Sequence, residues 1–431
     1  MGRTTYMGRD GGNHRQSGAT TGMIGTNLPD AEWQHAGGLK KVLAALGNAY
    51  GGPRYVGGAV RDTLLGLPVA DVDIATALEP MDVIDRLQAG GIKAIPTGIE
   101  HGTVTAAISG KNYEITTLRR DVATDGRRAT VAFATDWRED AARRDFTINA
   151  LYAEPKSGEI FDYFNGLEDL QARKLRFIGD ANQRIAEDFL RILRYFRFLA
   201  RYGSGQLDAD AIAACAKGAH GLTALSRERI AQELTRILSL RDPVLSIELM
   251  ITHGIFTPFL PELSGSAAND LQNLIKREQQ FAQIASLPAR FLALLNRDAV
   301  AVDKVAARLK LSNKLREGLA QRLIAPSPQP DNVRAIAYHT DIGTARDVVM
   351  LFGTDSAIPE CLAQLQQWEI PSLNVKGGDL IKLGLTAGPL VAKTLQAIEA
   401  AWVDEGFPDI KRQNELASQT VHAALSETKN G

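Results

Sequence analysis

Hydrophobic and polar positions change period along this chain, and the changes mark where its elements should lie. From Ala31 onward, Leu39, Val42, Leu43 and Leu46 recur at helical steps and predict an amphipathic helix. Tyr55-Val56 and Asp71-Val72-Asp73-Ile74 read as β-type runs, with Gly57-Gly58 and a short helical pattern between them. The period returns to helical after Pro80, through Met81-Asp-Val-Ile-Asp-Arg-Leu87. Thr103–Ile108 and Tyr113–Leu118 alternate as strands do. Further on, 186–201 predicts one long helix with Phe189, Ile192, Leu193, Phe196, Leu199 and Ala200 on one face. Ser226 followed by Glu228 signals another helix start, and the chain beyond is helical by pattern, cut by Pro and Gly.

Residues 1–30 show no such period. Their Gly, Thr, Asn and Arg content predicts a disordered extension or an artificial leader, with Met23 available as a natural start. At 431 residues the chain should hold two to four domains. No apolar run approaches the ~20 residues that span a bilayer, so a membrane partner is not expected. Two cysteines, Cys215 and Cys361, are too few for a zinc site or a disulfide framework, which makes the reducing cytoplasm the expected compartment. A net charge of −1 excludes a chain coated in positive charge, and any nucleic-acid surface must come from segregated basic patches. None of these features bears on oligomeric state.

The chemistry concentrates in 55–76. Residues two apart on a strand share a face, so Asp71 and Asp73 should present paired carboxylates while Val72 and Ile74 turn inward. Hard oxygen donors of this kind suit Mg²⁺, which binds one or two carboxylates plus substrate phosphates. Gly57-Gly58 sit where a strand hands over to a helix carrying Arg61, a place where backbone can approach a phosphate closely. A second block, Arg143-Arg-Asp-Phe-Thr-Ile-Asn149, offers forked guanidinium donors for triphosphate oxygens at Arg144. Asp145 and Asn149 could hold ribose hydroxyls. On the long helix, Arg191, Arg194, Arg197 and Arg201 outnumber Glu187 and Asp188. That excess suits phosphate or base edges. Asp188 and Arg191, three apart, could together address the pairing edge of a base, with Glu187 holding either Arg191 or the helix in place.

These ordered blocks resemble the nucleotidyltransferase signature of the DNA polymerase β-like superfamily, and in particular the class II (bacterial-type) CCA-adding tRNA nucleotidyltransferases and their poly(A) polymerase relatives. The resemblance implies an α+β fold, a small mixed-sheet nucleotidyltransferase head followed by all-α neck, body and tail. It places the head at 31–160, the neck at 161–225, the body at 226–330 and the tail at 331–431. It implies template-independent addition of C, C and A to the 3′ end of tRNA from CTP and ATP, with Asp71 and Asp73 as metal-holding catalytic residues. Glu114 matches a third, assisting carboxylate, the alternative being a solvent-facing acid on an edge strand. Asp188 and Arg191 match the family's base-selecting pair. The mixed-charge stretch with Arg120, Asp125, Arg127 and Arg128 resembles the family's flexible loop, or is a plain surface loop. Gly388, before Pro389, matches a tail position that could touch tRNA backbone, or is an ordinary helix boundary. Poly(A) polymerases are the near rival. They usually carry an Arg-Arg-Phe-type segment after the Asp pair and a long basic tail, whereas this chain runs Pro96-Thr-Gly-Ile-Glu-His-Gly-Thr-Val-Thr105. Partial addition (CC or A alone) and a catalytically silent tRNA-binding protein are the other readings.

Overall fold

A seven-stranded mixed sheet forms around residues that the alternation marks as inward-facing. The computed structural model describes residues 25–125, 128–203 and 206–430, with side chains of 121–132 and 427–430 outside the description. The strands are β1 (Arg54–Val56), β2 (Asp73–Thr76), β3 (Lys93–Gly98), β4 (Thr103–Ile108), β5 (Lys111–Thr117), β8 (Leu151–Ala153) and β9 (Ile160–Asp162), in the order β3-β4-β5-β2-β1-β8-β9. β2 and β5 run parallel and the other neighbouring pairs antiparallel. Along β5, Tyr113, Ile115 and Thr117 are buried while Glu114 between them is exposed, the period-two pattern of a sheet with one covered face. Helices α1 (Gly37–Leu46) and α3 (Pro80–Ala89) pack on each other through the apolar positions that the helical period marked. Leu39, Val42, Leu46, Val83 and Leu87 are all buried. Each such aliphatic side chain contributes ~1.5–3 kcal/mol of burial.

Three expectations change. β2 begins at Asp73, so Asp71 and Val72 precede the strand. The mixed-charge stretch is not an open loop: β6 (Arg119–Asp125) and β7 (Arg128–Phe133) pair as a separate two-stranded ribbon. The run of mixed charge around Gly126 reads as a loop in the sequence, and the two strands pair only with each other. The long helix is broken. α6 (Ala181–Glu187) stops, Asp188 adopts extended backbone at φ −153° and ψ 107°, and α7 (Leu190–Tyr202) starts afresh. Asp188 Oδ1 accepts the Leu190 N–H, a local bond that competes with continuing the helix. α7 is also covered on more than one face, because Tyr195 and Phe198 pack against Phe146 beside the buried Phe196 and Leu199.

α2 (Gly58–Leu64) follows β1 directly, α4 (Trp137–Ala142) follows the ribbon, and α5 (Gly166–Gln171) opens at Asn165, φ 60°. Gly166 has no room for a side chain, since an added Cβ would lie 2.4 Å from the Thr147 carbonyl oxygen. These elements, with α8 (Ala209–Gly218), belong to one compact unit that takes in the described residues up to 224 and 253–255. The second unit, 225–252 and 256–431, is helical. It includes α9 (Arg227–Leu238) and a cluster around Trp402, Ile398 and Leu380 near its end. Among the described residues no helix is long and apolar enough to cross a membrane.

Candidate active site

The paired glycines lie one residue beyond the end of β1, and the register sets what surrounds them. Val56 pairs with Asp73 across β1 and β2, and Asp73 pairs with Glu114 across β2 and β5. Gly57 therefore turns away beside two carboxylates on adjacent strands. Its φ of 66° and ψ of −115° suit glycine, and an added Cβ would stand 3.4 Å from the Asn149 carbonyl and 3.6 Å from Arg144 Nη1. Gly58 opens α2. Glu114 does not lie on an edge strand, because β5 is flanked by β4 and β2.

Asp73 is half-buried, and its carboxyl is pushed up to about 6. Burial is the largest cause, Glu114 adds repulsion, Arg144 opposes both, and Asp71 repels further. Asp71, Glu114 and Arg144 thus all act on the Asp73 carboxyl, although Asp71 sits outside the strand. Among the described residues no three His, Cys, Asp or Glu side chains converge as a complete metal cage. Carboxylates that crowd Asp73 in this way are a partial oxygen shell, and that donor set fits a hard divalent cation whose remaining ligands come from phosphates and water.

Arg144 is held from behind. Its Nε donates to the Tyr152 hydroxyl at 3.1 Å and its Nη2 to Asp140 Oδ2 at 3.2 Å. Asp140 is 1% exposed and also takes Arg143 Nε at 3.0 Å. Sequence reasoning missed Asp140 and Tyr152. Asp140 was within reach, since an acid three and four residues before two arginines is the spacing of helical ion pairs. Nothing in the pattern marked Tyr152.

Arg61, Asp145 and Asn149 come together in a buried network. Asp145 accepts from Asn149 Nδ2 at 2.9 Å and from Arg194 Nε at 2.7 Å, so the α7 arginine reaches the head block directly. Arg61 donates to Asn149 Oδ1 and, at 2.6 Å, to the Tyr202 hydroxyl, which donates to Asp62 Oδ1 at 2.9 Å. Arg201 joins the same Asp62 at 3.3 Å. Arg194 and Arg201 are therefore tied into the fold through Asp145 and Asp62. Arg197 lies with its guanidinium 4.7 Å from the Phe198 ring centroid.

Glu187 holds Arg191, whose Nη1 donates to Glu187 Oε2 at 2.5 Å and to the Arg184 carbonyl at 2.8 Å. Arg191 Nη2 reaches the Arg143 carbonyl at 3.4 Å, which joins the α7 start to the arginine block. Asp188 and Arg191 flank the break between α6 and α7 instead of sharing one continuous helix face. Arg120 is exposed on the ribbon. Asp125 and Arg128 pair across its end with side chains outside the description, and Arg127 lies outside the described residues. Gly388 immediately precedes the helix Pro389–Asp404, which belongs to the second unit.

Comparison with known proteins matches residues 53–176 to the poly(A) polymerase head domain and 206–266 to the probable RNA- and SrmB-binding site of polymerase A. The mitochondrial CCA tRNA nucleotidyltransferase 1 of Mus musculus is 36% identical over 86% of this chain and 87% of its own length. The CCA-adding enzyme of Lacticaseibacillus paracasei is 34% identical over 88% of this chain and 94% of its own. The crystal structure of the Bacillus stearothermophilus CCA-adding enzyme in complex with CTP superposes with a TM-score of 0.71 at 28% identity, covering 92% of this chain and all of that one. With likeness of that extent along nearly the whole chain, and a head built as described, this protein belongs to the CCA tRNA nucleotidyltransferase family.

Proposed function

We propose that the protein adds C, C and A to the 3′ end of tRNA, using CTP and ATP and releasing pyrophosphate. The observation that carries the reading is Asp73, placed between Glu114 and Arg144 beside the Gly57 turn. In the reaction the tRNA 3′-hydroxyl gives up its proton to water and its oxygen forms a bond to the α-phosphorus. The bond from that phosphorus to the bridging oxygen breaks, and the pair of electrons leaves with pyrophosphate.

Asp71 and Asp73 are the residues to hold Mg²⁺, which when bound lowers the cost of an attacking alkoxide and neutralises charge on the phosphates. Glu114, opposite Asp73 in the β2–β5 register, brings a further carboxylate to that side of the sheet. Gly57 and Gly58 let the triphosphate lie against bare backbone, and Arg144 meets its oxygens. Asp145 and Asn149, braced by Arg194 and Arg61, form the wall nearest the sugar. Asp188 and Arg191 face the base: a carboxylate accepts from an exocyclic amino group and a guanidinium donates to ring acceptors. Arg197, Arg201, the ribbon around Arg120 and, in the second unit, Gly388 are assigned to tRNA contact. The two free, buried thiols Cys215 and Cys361 fit a reducing, cytoplasmic setting.

The direct test is to sequence the 3′ ends of a truncated tRNA after incubation with CTP and ATP. Ordered CCA ends are the expected result. Ends stopping at CC or gaining A alone would narrow the activity, long A-tails with CTP ignored would move the protein to the poly(A) polymerases, and binding without incorporation would remove it from the enzymes. Base selection is tested separately. Arg191→Ala should cost about 1–3 kcal/mol of discrimination between CTP or ATP and the other two nucleotides. Equal losses for all four, read as kcat/KM ratios, would sink the selecting role.

A further inference from the structure

We propose that Asp140 is a positioning residue for this reaction: with Tyr152 it fixes the Arg144 guanidinium beside Gly57 and Asp73, so that an incoming triphosphate meets a donor already oriented. The inference rests on the nucleotidyl-transfer reading given above.

Asp140 has no capacity left for a ligand. Oδ1 accepts Arg143 Nε at 3.0 Å and the Arg119 backbone N–H at 3.2 Å. Oδ2 accepts the Tyr152 hydroxyl at 2.7 Å, with Arg144 Nε at 3.3 Å and Nη2 at 3.2 Å. Five donors on two oxygens, at 1% exposure, leave no lone pair directed at solvent. Burial by itself would raise the carboxyl's pKa, yet the Arg144 and Arg143 charges and the bonds from Tyr152 and Arg143 outweigh it and hold Asp140 at about 2. The group is therefore a permanent anion, and any influence on substrate must pass through the arginines it grips.

Arg144 is the arginine placed to transmit it. The Nε edge and Nη2 are taken by Tyr152 and Asp140. Nη1 stands 3.6 Å from where a Cβ on Gly57 would be, and the same guanidinium lowers the proton affinity of Asp73. Two fixed contacts on one edge set the plane of the guanidinium, which a single ion pair would leave free to rotate. Tyr152 is itself immobile: its ring is fully buried and packs edge-on against Trp137, with centroids 5.4 Å apart. Such over-determination is what a preorganised donor needs, because reorienting it during reaction would cost part of the stabilisation it gives.

A plain structural reading also exists, in which Asp140 only ties α4 to β8. The two readings part in a double-mutant cycle. Affinities for CTP and for ATP are measured by calorimetry without tRNA, so that the result does not depend on incorporation, and KM and kcat are measured with truncated tRNA. Asp140→Asn should weaken binding of both nucleotides by about 10–100-fold, the scale on which loss of a partner that orients a metal ligand weakens metal binding. In an Arg144→Ala background the same change should add less than about 2-fold, because the residue it acts through is gone. Multiplying losses, or unchanged nucleotide affinity in a folded Asp140→Asn protein, would overturn the proposal. Should Asp140→Asn not fold, Tyr152→Phe carries the same cycle, removing one hydroxyl and keeping the packed ring. Nucleotide binding that follows the cycle in a protein that extends no tRNA would remove the function and leave the positioning standing.

Discussion

Replacing Asp73 by Asn should reduce nucleotide incorporation by on the order of 1,000-fold, the scale of removing one electrostatic stabiliser from a transition state. The same change should make the nucleotide-free protein more stable at neutral pH. The folded protein keeps the Asp73 proton up to about pH 6, against 3.8 for the ordinary carboxyl. Between those values the folded state binds a proton that the unfolded chain has released, so stability falls as pH rises through this window and stays lower above it. A shift of that size sets a ceiling of ~3 kcal/mol, and water reaching the half-buried side chain reduces it to about 1–2 kcal/mol. Asn has no proton to lose. Melting curves of the variant and the parent should therefore coincide near pH 4 and separate above pH 6, with the variant melting higher. Added Mg²⁺ should raise the melting temperature of the parent more than that of the variant, since a cation bound only by the folded state stabilises by mass action. Binding of tRNA should change little. A variant that melts lower at pH 7.5, or that still extends tRNA, would remove Asp73 from the centre of the site.

A charged residue that costs the resting fold stability is itself informative about how much of this protein can be read before it is folded. Asp73, Gly57 and Arg144 drew notice through the order of their blocks, since a paired glycine or two acids alone are more often a plain turn or a solvated pair. The helices α1 and α3 were legible because their apolar positions repeat at one period. The break at Asp188 was not: the buried positions on its two sides keep helical spacing, and only the local bond from its carboxylate to Leu190 N interrupts them. Nor could periodicity distinguish a ribbon from a loop at Arg119–Phe133, where neither strand joins the main sheet. The bracing of Asp145 by Arg194 and of Asn149 by Arg61 joins residues 49 and 88 positions apart, which no local pattern encodes. Side chains that could touch a ligand left a signal in the sequence. Of the contacts that hold them still, the local one from Glu187 to Arg191 was legible, whereas those that depend on tertiary register, Arg194 on Asp145 and Arg61 on Asn149, were missed.

The largest loss of stability should come from Arg290→Ala, in the second unit. Arg290 is 2% exposed and its guanidinium closes the C-terminal end of α9. Nη1 donates to the Leu238 carbonyl at 2.7 Å and to that of Leu240, and Nη2 to that of Arg241 at 3.2 Å. Nη2 also meets Glu278 Oε2 at 2.6 Å. Helix ends leave carbonyls without intrahelical partners and carry a partial negative charge, so a buried cation there satisfies both needs. Removing it strands the Glu278 carboxylate, 6% exposed, together with three carbonyls. Breaking a buried pair from one side costs about 3–5 kcal/mol. At roughly 2–4 °C per kcal/mol for a unit of this size, the second unit's transition should fall by roughly 6–20 °C in scanning calorimetry. Arg290→Lys should recover part of the loss, keeping the charge without the fork that reaches several carbonyls. Pairing Arg290→Met with Glu278→Leu should recover more, because it removes both charges and leaves apolar bulk in their place. If Arg290→Ala alone stays within about 1 kcal/mol of the parent, the carbonyls have found water, and the end of α9 is held by its apolar contacts instead.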